Sequence, residues 1–172
     1  IYNTDIASYY ENMECIEEMH HPYVVITPDY MVYTADFSKL IEQHIQSEAD
    51  ITLLYHAVDN AKDAYLNCNI LNLNKQKGVL SLEPNHGNAK NRNIFMDTYV
   101  MRKDLFMELV KKGRKISSMF TLNDIVNMAC SELDVRGVSH RGFFASITDF
   151  TSYYNANLSL IDMKNAVTLF DK

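Results

Sequence analysis

The segment Thr27-Pro28-Asp29-Tyr30 places a carboxylate where the chain leaves its first buried strand. That strand is predicted from Tyr23-Val24-Val25-Ile26, a continuous apolar run typical of a strand buried on both faces. Ligands of open α/β sheets gather beyond the carboxyl ends of the strands, so Asp29 could hold Mg²⁺ together with a substrate phosphate. Alternatively, Asp29 is a turn residue, because aspartate favours turns through its local hydrogen bonds. The residues alone leave both interpretations open.

Other side chains give weaker indications of chemistry. His20 and His21 follow the first predicted helix, where a cation suits the helix dipole and where a pair could bind a metal. His44 shares an apolar stripe with Leu40 and Ile41, which predicts a hydrogen-bonded core histidine. No cysteine pairs with histidine at zinc spacing, and no G-x-S-x-G nucleophile elbow occurs. A G-x-G-x-x-G loop or P-loop is excluded, because no two of the five glycines lie within four residues of each other.

The composition is that of one globular domain of 172 residues, 47% hydrophobic and 22% charged. Its net charge of −6 is uneven, since residues 1–60 carry eleven acids and one base. Such a region is either a solvated helix face or a surface that meets a partner. The basic run at 111–115 has no interleaved aromatic residues, so nucleic-acid binding is not expected. Three widely spaced cysteines indicate a reducing cytoplasm, and no apolar run reaches the ~18 residues of a membrane helix.

Hydrophobic periodicity predicts the elements that must position these residues. The strand 23–26, a helix through Leu40 to Ile45 with Asp36 as its N-cap, and a strand at 51–58 form a βαβ crossover, which implies parallel strands. The other predicted elements are a helix over 5–19, hairpin strands over 66–73 and 79–82, a polar loop over 84–93, a strand over 95–101, helices around 105–110 and 122–128, strand material over 135–145 and a helix around 150–161. This order predicts an α/β fold with a mixed sheet.

Four segments in order along the chain resemble one enzyme family. The stretch YVVITPDYMVYTADFSKLIEQHIQSEADIT at 23–52 is similar to the pattern YVVILxGDHVYxMDYxxxxxxHxxxGADxT of the glucose-1-phosphate adenylyltransferases (ADP-glucose pyrophosphorylases). IFMDTYVMRKDLF at 94–106 resembles the SMGIYVFxxxxL segment of that family, and LNDIV at 122–126 resembles GKDIIP. GFFASITDFTSYYNANLSLID at 142–162 resembles GYWRDVGTxxSYxxANMDLL.

The resemblance implies a Rossmann-like (GT-A-like) nucleotidyltransferase fold, with a mixed, mostly parallel sheet flanked by helices. It implies that residues 1–172 are part of a nucleotidyltransferase domain, with the glycine-rich nucleotide loop and the C-terminal left-handed β-helix outside this chain. The family reaction joins ATP and glucose 1-phosphate into ADP-glucose and pyrophosphate. Mg²⁺ held by two carboxylates neutralises the developing charge.

Several family site residues are replaced here. The two metal-binding aspartates fall on Tyr30 and Ser146, and a one-residue shift of the loop would bring Asp29 to the first position. A phosphate-contacting lysine falls on Glu83, which reverses the charge. The substrate-pocket positions carried over by the resemblance are Thr4, Asp5, Asp29, Tyr30, Glu83, Asp97, Asn123, Asp124 and Ser146. We therefore assign no catalytic residue and no metal site, and we expect Mg²⁺ as a cofactor only if the protein is active.

A retained scaffold with a dismantled site resembles the non-catalytic D-type glycogen biosynthesis protein of this family. The expectation is a cytoplasmic regulatory or structural subunit of bacterial ADP-glucose pyrophosphorylase, in a homo- or hetero-oligomer with a catalytic subunit. Two alternatives stay open. One is an active glucose-1-phosphate adenylyltransferase that uses Asp29, with Asp97 or Asp149 as the second carboxylate. The other is a sensor that binds a sugar nucleotide or sugar phosphate without catalysis.

Overall fold

The computed structural model describes residues 4–28 and 30–146. Its helices are α1 (Asp5–Glu11), α2 (Met13–Glu17), α3 (Phe37–Ser47), α4 (Lys103–Ile116) and α5 (Leu122–Ala129). Its strands are β1 (Tyr23–Ile26), β2 (Met31–Tyr33), β3 (Ile51–Val58), β4 (Asn69–Leu73), β5 (Val79–Pro84), β6 (Arg92–Arg102), β7 (Val135–Ser139) and β8 (Phe144–Ser146).

The main sheet is built around β6, its longest strand among the described residues. Its order is β5-β4-β6-β3-β7, and β1 also pairs with β6. Met101 faces Ile51 of β3 on one side and Val24 of β1 on the other, so β1 and β3 flank β6. A second sheet of two strands, β2 and β8, pairs Met31 with Ser146. The mixed sheet with flanking helices predicted from the sequence is confirmed.

The expected predominance of parallel strands is wrong for the described residues. Only β3 and β7 pair in parallel there, and the other pairings are antiparallel. Strands β1 and β3 do run parallel to each other, as the predicted crossover requires, but β6 lies between them. The order of elements along the chain sets the direction of β1 and β3. It does not reveal that a later strand is inserted between them.

Two hydrophobic cores lie on opposite faces of β6 because its side chains alternate. Helices α1, α4 and α5 cover one face, and α3 with the β2–β8 sheet covers the other. The first core contains Phe95, Tyr99 and Met101 of this strand, and the second contains Ile94, Met96 and Val100.

The helix predicted over 5–19 is divided into α1 and α2 at Asn12, whose φ of −102° and ψ of 19° are not helical. The Asn12 side-chain Nδ2 donates to the Ser8 carbonyl at 2.8 Å, a local hydrogen bond of the kind that competes with helix formation.

Strand 23–26 is confirmed, although its residues are half-buried rather than buried on both faces. The helix predicted around 150–161 lies outside the described residues. Among the described helices, none combines the length and the hydrophobicity of a membrane-spanning segment.

His44 is confirmed as a hydrogen-bonded core histidine. Its Nδ1 lies 2.6 Å from the Thr52 hydroxyl, and both residues are 2% exposed. Asp36 caps the helix that carries His44, since its side chain accepts a hydrogen bond from the Lys39 backbone N–H. The histidine therefore ties α3 to β3.

Replacing Thr52 by valine is expected to lower the free energy of unfolding by about 1–3 kcal/mol, because the buried His44 Nδ1 loses its partner. Urea denaturation at neutral pH measures the change. Thr52→Ser keeps the hydroxyl and is the control, with a smaller loss of about 1 kcal/mol for the missing methyl group. Equal losses in the two variants would show that the hydroxyl contributes nothing.

Candidate functional site

A cavity of about 450 Å³ opens beside the central strand, where β6 has no neighbour on one edge. On this edge β1 pairs with residues 99–102 and β4 with Ile94, which leaves residues 95–98 between them. The chemistry-bearing residues lining the cavity are Asp5, Tyr9, Tyr30, Asp97, Tyr99 and Asn123. Four of these, Asp5, Tyr30, Asp97 and Asn123, are positions that the family resemblance indicates.

Asp97 lies at an irregularity of β6 and has a left-handed backbone conformation. Its φ is +45°, and the β3–β6 register shifts beside it, between Leu54 and Tyr55. Glycine adopts such a conformation readily, and aspartate is one of the few other residues that tolerate it. The resemblance places a family glycine at this position. The backbone geometry that suits glycine is therefore present, but a carboxyl group now projects from it.

Asp97 is held in a poorly solvated place. The pKa of its carboxyl is raised to about 6, mainly by burial and further by the nearby Asp5, while the Asn123 hydrogen bond partly offsets this rise. The Asn123 Nδ2 donates to Asp97 Oδ1 at 3.4 Å. The Tyr99 hydroxyl donates to Asn123 Oδ1, which fixes the orientation of the amide. Tyr99, Asn123 and Asp97 thus form a directed chain of hydrogen bonds that ends on the carboxyl group in the cavity.

Asp5 connects the first helix to the start of α5. Its Oδ1 accepts hydrogen bonds from the backbone N–H groups of Ile6 at 2.7 Å and Leu122 at 3.0 Å. Burial raises the pKa of this carboxyl, the two backbone hydrogen bonds lower it, and Asp124 raises it. A carboxylate at the N-terminus of α5 also suits the helix dipole. Asp5 therefore has a structural role as well as a place in the cavity wall.

Four other predicted pocket residues, Thr4, Glu83, Asp124 and Ser146, do not line this cavity. Asp124 is exposed and forms a capping box with Thr121, whose backbone N–H donates to Asp124 Oδ2 at 2.9 Å. Thr4 is the N-cap of α1, where its hydroxyl accepts a hydrogen bond from the Ala7 N–H at 3.3 Å. Glu83 is exposed on β5, at the edge of the main sheet. Thr4 and Asp124 therefore act in helix capping, and Glu83 lies at the edge of the main sheet.

The two positions that the resemblance assigns to metal ligands are brought to one end of the small sheet. Ser146 pairs with Met31, and Tyr30 directly precedes that residue. Ser146 is 2% exposed, and its Oγ has no hydrogen-bond partner among the described residues. Asp29 lies outside the described residues. The fold therefore brings these two positions close together, with residue types that differ from the family's aspartates.

The donors at these two described positions do not fit Mg²⁺. Mg²⁺ prefers carboxylate and other hard oxygen ligands, and the positions hold a phenol and an aliphatic hydroxyl. No group of three His, Cys, Asp or Glu side chains suited to a metal occurs among the residues that the structure describes. Tyr30 and Ser146 therefore do not form the pair of carboxylates that the family reaction needs for its metal ion.

The cavity wall is acidic. Its described lining includes two carboxyl groups and no Lys, Arg or His. A phosphate charge about 5 Å from one carboxylate is repelled by about 3 kcal/mol at an effective dielectric constant of about 20. The arrangement favours neutral or cationic groups over phosphates. Sequence reasoning missed Tyr9 and Tyr99; the i, i+2 spacing of Asp97 and Tyr99 on one strand face was the available signal for the second.

Asp97→Asn removes a buried carboxyl group whose pKa is raised by folding. The gain in the free energy of unfolding of the variant over the wild type is therefore expected to be larger at neutral pH than at acidic pH. The wild type loses stability relative to the variant as the pH rises from about 4 to about 6. The difference reaches about 3 kcal/mol for a pKa raised by about two units. Urea denaturation across this range measures it, with the exposed Asp63→Asn as the control. A wild-type to Asp97→Asn difference that does not change with pH would contradict the expectation.

Comparisons with known proteins agree with this fold. No family model matches the chain. It is 26% identical over 165 residues to a glucose-1-phosphate adenylyltransferase of Clostridium perfringens (strain 13), covering 94% of this chain and 42% of that protein. A glucose-1-phosphate adenylyltransferase of Fusobacterium nucleatum is 25% identical over 166 residues, with 95% and 43% covered. The chain thus spans about two fifths of the length of these curated relatives.

Two solved structures have the same fold at low sequence identity. HddC from Yersinia pseudotuberculosis has a TM-score of 0.68 at 13% identity, over 91% of this chain and 62% of that chain. A putative glucose-1-phosphate thymidylyltransferase from Bacillus anthracis, solved with a sucrose, has a TM-score of 0.69 at 13% identity, over 87% and 59%. This chain is therefore similar in sequence to glucose-1-phosphate adenylyltransferases over most of its length, and it has a nucleotidyltransferase fold.

Proposed function

We propose that the protein containing this chain is a non-catalytic, regulatory or structural subunit of bacterial ADP-glucose pyrophosphorylase, acting in the cytoplasm in glycogen biosynthesis. The observation that carries the proposal is the acidic cavity, whose lining includes Asp5 and Asp97. The family resemblance would place anionic substrates beside these two residues. Its partner is a catalytic subunit of the same enzyme. This chain contributes part of a nucleotidyltransferase domain to that assembly.

The family reaction makes demands that the described cavity does not meet. In that reaction an oxygen of glucose 1-phosphate attacks the α-phosphorus of ATP, and pyrophosphate leaves. Positioning and charge neutralisation supply most of the catalysis, so cationic groups or a metal must face the phosphates. The described lining offers two carboxyl groups and neutral hydrogen-bonding side chains instead. Binding ATP there would bring like charges together in a poorly solvated place.

The scaffold, by contrast, is intact. Phe95 on β6, Val110 on α4 and Ile125 on α5 are fully buried in one core, and Ile94 and Met96 are fully buried in the other. The packing of the described core is thus kept, whereas the cavity carries charges that repel phosphates. This contrast supports a role other than catalysis for the chain.

An active enzyme is the second candidate. The observation that favours it is that two carboxyl groups, Asp5 and Asp97, share one cavity wall. In this alternative Asp29 holds Mg²⁺, and Asp97 or Asp149 supplies the second carboxylate. A sensor that binds a sugar nucleotide or a sugar phosphate is the third candidate. The cavity volume of about 450 Å³ is within the range of small-molecule sites, whereas its two carboxyl groups oppose the phosphates of such a ligand.

The first test is an assay of the purified full-length protein with ATP, glucose 1-phosphate and Mg²⁺. We expect no ADP-glucose above the blank from this protein alone. Mixed with the catalytic subunit from the same organism, it is expected to co-elute and to change the turnover or the effector response of that subunit. Turnover by the protein alone that is lost in Asp97→Asn or Asp29→Asn, but kept in Asp63→Asn, would establish the active enzyme instead.

The second test asks whether the carboxyl group of Asp97 repels phosphates or holds a metal. If it repels them, Asp97→Asn is expected to tighten the binding of ATP about 10-fold or more at pH 7.5, equivalent to about 1.4 kcal/mol. Calorimetry with and without Mg²⁺ measures the change, and Asp63→Asn is the control. Weaker binding of Mg²⁺-ATP by Asp97→Asn would contradict the proposal, because it would mean that this carboxylate helps to bind the metal complex.

A further inference from the structure

Two histidines outside the candidate site are hydrogen-bonded to each other. His56 lies on β3, and His140 directly follows β7. Their Nδ1 atoms are 3.1 Å apart, and His140 Nε2 lies 2.7 Å from the Thr34 carbonyl oxygen, just beyond β2. His140 is 8% exposed. Both ring nitrogens of His140 therefore have partners on different parts of the fold.

The partners fix the protonation of the pair. The Thr34 carbonyl only accepts, so His140 Nε2 carries a hydrogen and donates it. In a neutral ring the other nitrogen, His140 Nδ1, is then bare and accepts. The hydrogen between the two rings must therefore belong to His56 Nδ1. One extra proton can be taken up on His56 Nε2 without loss of this bond, but protonated His140 would present a second N–H to His56.

The pair lies in the seam between the main sheet and the β2–β8 sheet. His140 is held on the main-sheet side, because its backbone N–H donates to the Tyr55 carbonyl at 2.7 Å. From the small sheet, Phe144 packs against His56 with ring centroids 5.3 Å apart. Tyr33 of β2 meets His140 edge-on at 5.7 Å. The bond from His140 to Thr34 thus joins main-sheet residues to the end of β2.

Two further contacts complete the seam. Tyr65, from the connection between β3 and β4, stacks on Phe144 with centroids 5.8 Å apart. The Tyr33 hydroxyl lies 2.5 Å from the Thr98 hydroxyl on β6. These contacts carry no charge, so they do not replace the histidine pair as a response to acid.

We propose that the His56–His140 hydrogen bond is a pH-sensitive latch, which holds the β2–β8 sheet on the main sheet while the pair carries at most one extra proton and releases it when both rings are protonated. Two imidazolium rings at this separation would repel each other, and two N–H groups would point at one another. The latch does not depend on the proposed function, because it uses no residue that lines the candidate site.

The surroundings set the direction of the response. Burial lowers the pKa of both histidines, and the charge of His140 lowers the pKa of His56 further. Hydrogen bonds to the backbone raise both pKa values but do not cancel the effect of burial. Tyr33 and Tyr65 face the pair and remain neutral, because burial raises the pKa of each hydroxyl. Asp59 lines the adjoining cavity of about 560 Å³ with His56 and Tyr65.

The sign of the pH effect follows from these lowered values. Histidines freed from the seam take up protons from about pH 6.5 downwards, whereas in the closed latch they remain neutral to lower pH. The latch is therefore closed above about pH 6.5 and opens progressively as the pH falls. Each histidine that gains a proton on opening raises the opening equilibrium constant by up to about tenfold per pH unit. Arg141, which follows His140 in the sequence, is exposed.

Hydrogen exchange of the intact full-length protein tests the latch at about pH 7.5 and about pH 5.5, on either side of the ordinary histidine range. After correction for intrinsic exchange, peptides covering 30–34 and 143–146 are expected to open at least about tenfold more at the lower pH. The β4–β5 hairpin is expected to change less. Equal changes in both regions would overturn the proposal, because they would mean a general loss of stability.

Variants separate this pair from other buried histidines. His56→Asn retains a donor to His140 but cannot be protonated, so it is expected to reduce the acid response of the β2–β8 peptides. His44→Gln is the matched control, since His44 is buried and has a lowered pKa but lies away from the seam. An acid response that His44→Gln abolishes and His56→Asn preserves would overturn the latch.

A titration of the wild-type protein needs no variant. The ring protons of His56 and His140, followed by NMR, are expected to titrate below the ordinary histidine range of about pH 6.5. Titration of both rings at or above about pH 6.5 would overturn the proposal.

Discussion

The eleven residues of β6 set the constraint on which the rest of this structure depends. One edge of the strand is paired with β3, and the other is shared between β1 and β4. Its two faces supply both hydrophobic cores, so the helices on either side are positioned by the same strand. The irregularity at Asp97 lies where the shared edge is unpaired. The candidate cavity therefore exists because β1 and β4 pair with separate parts of one edge of β6 and leave the residues between them unpaired.

The local elements of this fold were largely predictable, and the long-range pairing was not. Periodicity located strands 23–26 and 51–58 and the helix capped by Asp36, because these depend on neighbours a few residues away. The insertion of β6 between β1 and β3 depends on residues far apart along the chain, such as Ile51 and Met101. The spacing of apolar residues in these strands gives no indication of this insertion. The break at Asn12 was also missed, since apolar spacing does not register a side chain that bonds its own backbone.

The candidate site was predictable only as far as family resemblance reached. It indicated Asp5, Tyr30, Asp97 and Asn123, which the fold brings to one cavity. It could not distinguish these from Asp124 and Thr4, which cap helices, because capping depends on where each helix begins. The Tyr99 hydroxyl bond to Asn123 was invisible for a related reason: it joins two elements whose proximity only the tertiary structure defines.

The left-handed backbone conformation at Asp97 restricts which residue types this position can accept. A φ of +45° admits glycine, asparagine and aspartate and penalises nearly every other residue. Within that short list, glycine offers the cavity nothing, asparagine offers a neutral amide, and aspartate offers a charge. A single substitution within this short list can therefore change the charge of the cavity while the backbone conformation at position 97 is kept.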